Sequence, residues 1–309
     1  MTEVLVTGAA GFLGRHLVPA LLETGHRVVA LQHNAQLPPE MQARCERIVT
    51  GNIRDPAIQQ EALRDVQVVC HLSAFVPGRM DDLSQSAPCY LTNAEATLEL
   101  ATAAAKGGIR RFIHLSAANM YATSNALCTE SSAVFPSHYA SAYFVSKLAA
   151  EIYLTQLGNS TGLEVVILRA GSLYGPGELS RRAIPTFLRN AAAGQPLEIA
   201  NGGAANFNFV YVADVVDCIV QAMGTGARGI YNVAPGVRTS PLDVAKAIVE
   251  LFHPREVSLH IEPAKPGSFA GFPAVSIEKA RATWNFNPRT LAAGIADYRA
   301  NLAKAAGQP

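Results

Sequence analysis

Six short runs rich in β-branched residues (EVLVTG, RVVAL, RIVTG, VVCHL, RFIHLS and EVVILR) alternate with helix-like stretches as far as Arg169, and this rhythm constrains the chain more than any other feature. Continuous apolar runs of this length are how strands covered on both faces read; a half-exposed strand would alternate apolar with polar. The stretches between them, such as RHLVPALLETG and AEATLELATAAAKGG, carry helical periodicity, and Gly25 stands where a C-cap is expected. Strand–helix–strand units in series specify an α/β fold: a Rossmann-type doubly wound parallel sheet with helices on both faces. With 309 residues, 49% of them hydrophobic, the chain has enough material for that sheet and for a smaller second lobe.

After Arg169 the rhythm changes. Turn-forming residues in GSLYGPGELSRRAIP precede a helix at about 183–193, and Asn201, Gly202 and Gly203 punctuate the chain again. NFNFVYV and GIYNVAP read as strands on either side of the helical DVVDCIVQAMGTG. The expected organisation is a dinucleotide-binding domain over 1–170, rejoined by about 207–234, and a discontinuous C-terminal substrate-binding lobe built from 171–206 and 235–309. A net charge of +1 without long basic or acidic runs argues against nucleic acid or an anionic membrane surface and for a small-molecule partner. The opening MTEVLVTGAAG enters a strand at once and no run approaches 18 apolar residues, so a cytoplasmic protein without a membrane span is expected. Five cysteines, scattered without CxxC or Cys/His spacing, predict reduced structural thiols and no metal.

Two motifs carry chemistry. In TGAAGFLG, Gly8, Gly11 and Gly14 fall between the first strand and the first helix, where a tight turn brings backbone N–H groups and a helix N-terminus against a pyrophosphate. The acidic residue that would bind the adenosine ribose at the end of the second strand is replaced by Gln32 and His33. Either NAD or NADP therefore fits, and the missing carboxylate tilts the expectation to NADP, whose 2′-phosphate His33 can hydrogen-bond. Asn52 and Ile53, at the end of a third strand, suit an amide contact and an apolar wall for adenine. In SAYFVSKLAAE, Tyr143 and Lys147 lie four residues apart at the start of a helical pattern and share a face. A tyrosine ionises near ~10, and a neighbouring ammonium favours its anion, which suits Tyr143 to acid/base work.

These motifs, together with HLSA, Asn93 before a helix, LRAGSLYGPG, FVYVADVVD and NPRTLAAGIADY, resemble the extended short-chain dehydrogenases/reductases nearly end to end, specifically the NAD-dependent epimerase/dehydratase branch acting on sugar nucleotides. The resemblance implies that Phe12 and Leu13 line the pyrophosphate turn, that Leu72, Ser73 and Ala74 flank the cofactor, and that Asn93 supports it. It further implies that Lys147 holds the nicotinamide ribose, that Gly171 and Ser172 lie near nicotinamide and substrate, and that homodimers form through the helices of Asn93 and Tyr143.

Departures from that pattern matter as much. Ala117 stands where the branch has a Ser or Thr hydroxyl against the reacting oxygen, leaving Ser116 or Asn119 as substitutes, although Ser116, the adjacent residue of a strand, is expected to face the other side. Phe207 and Lys265 stand where the branch places arginines against the nucleotide diphosphate; Arg181, Arg182 and Arg189 are candidates to compensate. Ala118 and Asn119 replace the Asp/Glu pair that dehydration needs, so epimerisation or ketoreduction of a nucleotide sugar is the expected activity. A carbonyl reductase for a nonsugar ketone or aldehyde, and a catalytically impaired cofactor-binding sensor or interaction protein, are the alternatives.

Overall fold

The computed structural model describes residues 1–122, 126–134, 141–178, 182–253 and 256–305, apart from the side chains of 303–305. In chain order come β1 (Glu3–Thr7), α1 (Gly14–Glu23), β2 (Arg27–Gln32), α2 (Pro39–Gln42), β3 (Arg47–Thr50), α3 (Pro56–Leu63), β4 (Val68–His71) and α4 (Ser86–Cys89). A π-helical turn, Tyr90–Glu95, leads into α5 (Ala96–Lys106), followed by β5 (Arg111–Ala117), α6 (Ala142–Ser160) and β6 (Glu164–Ala170). Then follow β7 (Ser172–Tyr174), α7 (Ala183–Ala192), β8 (Leu197–Ile199), β9 (Phe209–Tyr211), α8 (Val212–Gly224) and β10 (Gly229–Val233). The chain ends through α9 (Pro241–Phe252), β11 (Leu259–Ile261), α10 (Glu278–Trp284) and α11 (Leu291–Ala305).

All six apolar runs form strands of one seven-stranded sheet, in the order β10-β6-β5-β4-β1-β2-β3. β1 lies inside it, parallel to β2 and β4, with Val4 opposite Val28 and Val68. Every residue of β1 is buried, which is why the strand reads as one apolar run. On one face Leu5, Val69, Phe112 and Ile167 pack with Leu100, Ala104 and Leu154 from the helices α5 and α6. α1 ends as expected, with Gly25 at φ +80°.

The chain divides into two compact units. The first comprises 1–120, 134–169 and 216–231; the second comprises 121–133, 170–215 and 232–309. The second has its own apolar core, in which Ile184, Phe187 and Leu188 pack with Val244, Ile248 and Phe252. NFNFVYV forms a strand, as its β pattern suggested, but Phe209–Tyr211 pairs with Ser172–Tyr174 instead of joining the large sheet. The handover is local. Gly171 N–H donates to the carbonyl of Val233 and Ser172 N–H to that of Asn208, so the chain leaves the sheet as soon as β6 ends. Among the described residues no helix is long and apolar enough to cross a membrane.

Candidate functional site

The order of the large sheet reverses at β1 and β4. From β1 the chain steps outward through β2 and β3, then returns to β4 on the opposite side. The connections after β1 and β4 therefore leave in opposite directions, and a crevice opens beyond the carboxyl ends of these strands. Gly8, at φ +66°, turns the chain there, so close to the segment after β4 that a Cβ would stand 2.9 Å from the Ser73 nitrogen. Gly14 opens α1 directly beneath the turn, where a Cβ would meet the carbonyl oxygens of Gly8 and Ala9 at 2.4 Å. The N-cap of α1 is Leu13, whose side chain makes no capping hydrogen bond, so the positive end of the helix is left to the turn and to whatever binds there.

A cavity of about 510 Å³ occupies the crevice. Gly8, Gly11, Gln32, His33, Asn52, Ile53, Leu72, Ser73 and Ala74 line it, together with Ala10 of the glycine turn and with Asn34, Arg54, Phe75 and Thr92, which belong to no motif. Bare backbone at the glycines and an apolar flank at Ile53 and Leu72 suit a dinucleotide. Gln32 offers the cavity little of its side chain, being 3% exposed: its Oε1 accepts from Leu37 N–H at 3.0 Å and its Nε2 donates to Thr50 Oγ1 at 3.3 Å. The amide holds the loop that follows β2, and the exposed His33, Asn34 and Arg54 supply the polar lining instead.

Phe12, Leu13 and Gly14 are not part of this lining. Phe12 turns its ring edge-on to His16, at 5.5 Å, and Leu13 is buried at the start of α1. Asn93 stands behind the wall and clamps it. Its Oδ1 accepts from Phe75 N–H at 2.7 Å, while its Nδ2 donates to the Phe75 carbonyl at 2.9 Å and to Ser146 Oγ at 3.0 Å.

Tyr143 and Lys147 occupy successive turns of α6, whose first turn is capped by Ser141 Oγ, which accepts from Phe144 N–H. Tyr143 is half-buried, with its ring edge-on to Phe144 at 5.3 Å. Lys147 is 2% exposed, and its Nζ donates to the Leu115 carbonyl at 2.9 Å. Burial pushes its pKa down to about 8, and the negative charge of Glu151, one turn further along the helix, opposes that shift. Glu151 is itself buried, gripped by the Arg169 guanidinium through Nη2 at 2.6 Å and Nε at 3.0 Å, and by the Ser116 hydroxyl at 2.5 Å. Ser116, one of the two candidates to replace the hydroxyl missing at Ala117, is thus committed to Glu151 on the opposite side of β5, because successive strand residues alternate in direction.

In the second unit Gly171 approaches Asn208 so closely that a Cβ would meet the Asn208 carbonyl oxygen at 2.1 Å, and Ser172 N–H donates to that carbonyl at 2.8 Å. Lys265 lies in an exposed stretch, its carbonyl accepting from Ser268. Phe207 stacks on Phe209 at 5.2 Å and meets Phe269 and Phe272 edge-on at 6.3 and 5.7 Å, so an aromatic cluster stands where the resemblance implied an arginine. Arg182 pairs with Glu178 at 3.8 Å and Arg189 donates to Thr186 at 3.2 Å; Arg181 lies outside the described residues.

The buried lysine makes stability depend on pH. Its folded-state pKa of about 8 lies below the ordinary 10.5, so between these values the unfolded chain holds more protons and this group stabilises the fold as pH rises. Lys147→Met removes that contribution. The difference in thermal midpoint between Lys147→Met and the unmodified chain is expected to shift in favour of the unmodified chain between about pH 8 and about pH 10.5. A constant difference would mean that Lys147 titrates like an exposed amine.

The model of the NAD dependent epimerase/dehydratase family matches residues 4–234. A dTDP-4-dehydro-6-deoxy-D-allose reductase from Streptomyces sp is 28% identical over 310 residues, covering 94% of this chain and 93% of the relative. A UDP-glucose 4-epimerase from Mycolicibacterium smegmatis is 32% identical over 265 residues, covering 80% and 81%. Among solved structures, MoeE5 in complex with UDP-glucuronic acid and NAD superposes with a TM-score of 0.84 at 28% identity, over 98% of this chain and 99% of that one. The motifs, the sheet and these relatives agree, and the chain belongs to the NAD dependent epimerase/dehydratase family.

Proposed function

We propose that this protein is an NAD(P)-dependent enzyme that exchanges a hydride with a nucleotide-activated sugar, as an epimerase or a ketoreductase. The observation that carries this reading is the pairing of Tyr143 with a buried Lys147 on successive turns of α6, in the same unit as the glycine-turn cavity. A nicotinamide dinucleotide, when bound, accepts or gives the hydride. Tyr143 takes the proton of the sugar hydroxyl at its phenolic oxygen as the carbonyl forms, and returns it in the reverse direction. Lys147, a cation below about pH 8, favours the phenolate. Gly8 and Gly11 would cradle the pyrophosphate, and Asn52 and Ile53 the adenine.

The relatives act on or bind UDP- and dTDP-linked sugars by name, and MoeE5 holds NAD, which supports the class of substrate and cofactor. Among the described residues, the lining around His33, Asn34 and Arg54 has no carboxylate to repel a 2′-phosphate, which supports acceptance of NADP as well. The cytoplasm is the compartment this reading implies. One observation favours a second reading: the aromatic cluster at Phe207 suits an apolar partner better than a diphosphate, as a carbonyl reductase for a nonsugar ketone would need.

A second copy of the chain is the expected partner. Val145, Ile152 and Tyr153 on α6 and Tyr90 before α5 are each at least 45% exposed, an apolar stripe on the two helical segments through which the family resemblance implies pairing.

Titrating the protein with NADH and NADPH by nicotinamide fluorescence, then repeating the titration with UDP-, dTDP- and GDP-sugars, tests the proposal. A response to one nucleotide sugar is expected; indifference to all of them, with turnover of a simple ketone, would favour the carbonyl reductase. Tyr143→Phe is expected to lose about 10²–10⁴ in kcat while binding cofactor normally, and an unchanged rate would remove Tyr143 from the chemistry. Ile152→Glu is expected to convert a dimer to a monomer in sedimentation velocity; a monomeric unmodified chain would refute the pairing.

A further inference from the structure

A buried series of hydrogen bonds runs from the cavity wall to the helix of Tyr143, and its directions can be assigned. The N–H groups of Leu72 and Ser73 both donate to Thr7 Oγ1, each at 3.1 Å, that of Leu72 being shared with the Thr7 carbonyl at 3.3 Å. Two donors occupy both lone pairs of that hydroxyl, so its own proton points to His71 Nδ1, 2.8 Å away. With Nδ1 accepting, the proton of the neutral imidazole sits on Nε2 and is donated to Thr97 Oγ1 at 2.9 Å. Thr97 then donates to the Asn93 carbonyl at 2.8 Å. The Asn93 side chain holds Phe75 at both its N–H and its carbonyl and donates to Ser146 Oγ, which in turn donates to the Tyr143 carbonyl at 2.7 Å.

Thr7, His71, Asn93 and Thr97 are all fully buried. The His71 ring stacks on His114 of β5 at 5.4 Å and tilts against Phe112, while the charge of Lys147 on α6 also bears on it. A second proton would have to sit on Nδ1 and confront Thr7 with three donors. Burial and Lys147 agree with that, holding the His71 pKa down to about 3. None of His71, Thr97 and Ser146 lines the cavity. Apolar residues of the same shape would fill this space at little cost. Directional bonds add register, since they fail on small displacements that apolar contacts tolerate.

We propose that His71 and Thr97 are positioning residues: through Asn93 and Ser146 they lock the cavity wall at 72–75 to the first turn of α6 and so set where the Tyr143 phenol stands against a bound cofactor. The inference rests on the hydride-exchange reading above. Misplacing a reacting group by about 1 Å costs on the order of 10²-fold in rate, which sets the scale of the effect.

Thr97→Val keeps the shape, touches no cavity atom and cuts the link between the imidazole and Asn93. Its expected result is a fall in kcat of about ten- to a hundredfold with cofactor Kd within about twofold, and recovery of most of the rate in Thr97→Ser. A long-range ¹H–¹⁵N spectrum of the unmodified chain should show His71 as the Nε2–H tautomer, without titration between about pH 5 and about pH 8. Unchanged kcat in Thr97→Val with only a lower thermal midpoint, an equal loss in Thr97→Ser, or a His71 proton on Nδ1 would each overturn the proposal. Absence of turnover in the unmodified chain would instead overturn the hydride-exchange reading, and the tautomer would still decide whether the directional series exists.

Discussion

The close approach of Gly8 to Ser73 is the contact on which the rest of the first unit turns. The ends of β1 and β4 come together without a side chain between them, because a Cβ on Gly8 would collide with the Ser73 backbone. That closeness lets the Thr7 hydroxyl reach the N–H groups of both Leu72 and Ser73, and it leaves backbone rather than side chain facing the crevice. The same strands are where the sheet order reverses, so this close approach and the cavity belong to one place.

Around α6 the protein buries more charge than a core tolerates without organisation. Lys147, Glu151 and Arg169 are each almost fully buried, and each would be costly alone. They are arranged so that Arg169 and Ser116 satisfy Glu151, and Glu151 in turn moderates the penalty on Lys147. The result is a lysine that stays charged near neutral pH while titrating far more readily than one in water. Two neighbouring imidazoles, His71 and His114, remain neutral in the same surroundings, so the local positive charge is confined to Lys147 and Arg169.

Much of this was legible in the chain. Buried parallel strands announce themselves as apolar runs, and the glycine turn, the β4 segment 71–74 and the Tyr143–Lys147 spacing carry residue types that only particular backbone or chemistry demands. Strand alternation alone foretold that Ser116 would face away from the Ala117 side. Other features depend on partners remote in sequence. Glu151 follows Lys147 by one helical turn and so was visible in principle, but Arg169 reaches it from β6 and Ser116 from β5. Phe75 and Thr92 line the cavity because of where their segments pass, with no local pattern to mark them. FVYV reads as a strand, yet which strand it pairs with is settled by the Ser172 and Asn208 backbones.

The inward turn of the Gln32 amide matters for anyone wishing to redesign coenzyme preference. Because both ends of that amide already hold Leu37 and Thr50, exchanging Gln32 would disturb the loop before it altered the recognition surface. His33, Asn34 and Arg54, exposed on the cavity and free of that structural duty among the contacts seen for Gln32, form the more permissive palette. Substitutions confined to these three positions would leave the glycine turn and the strands beneath it untouched.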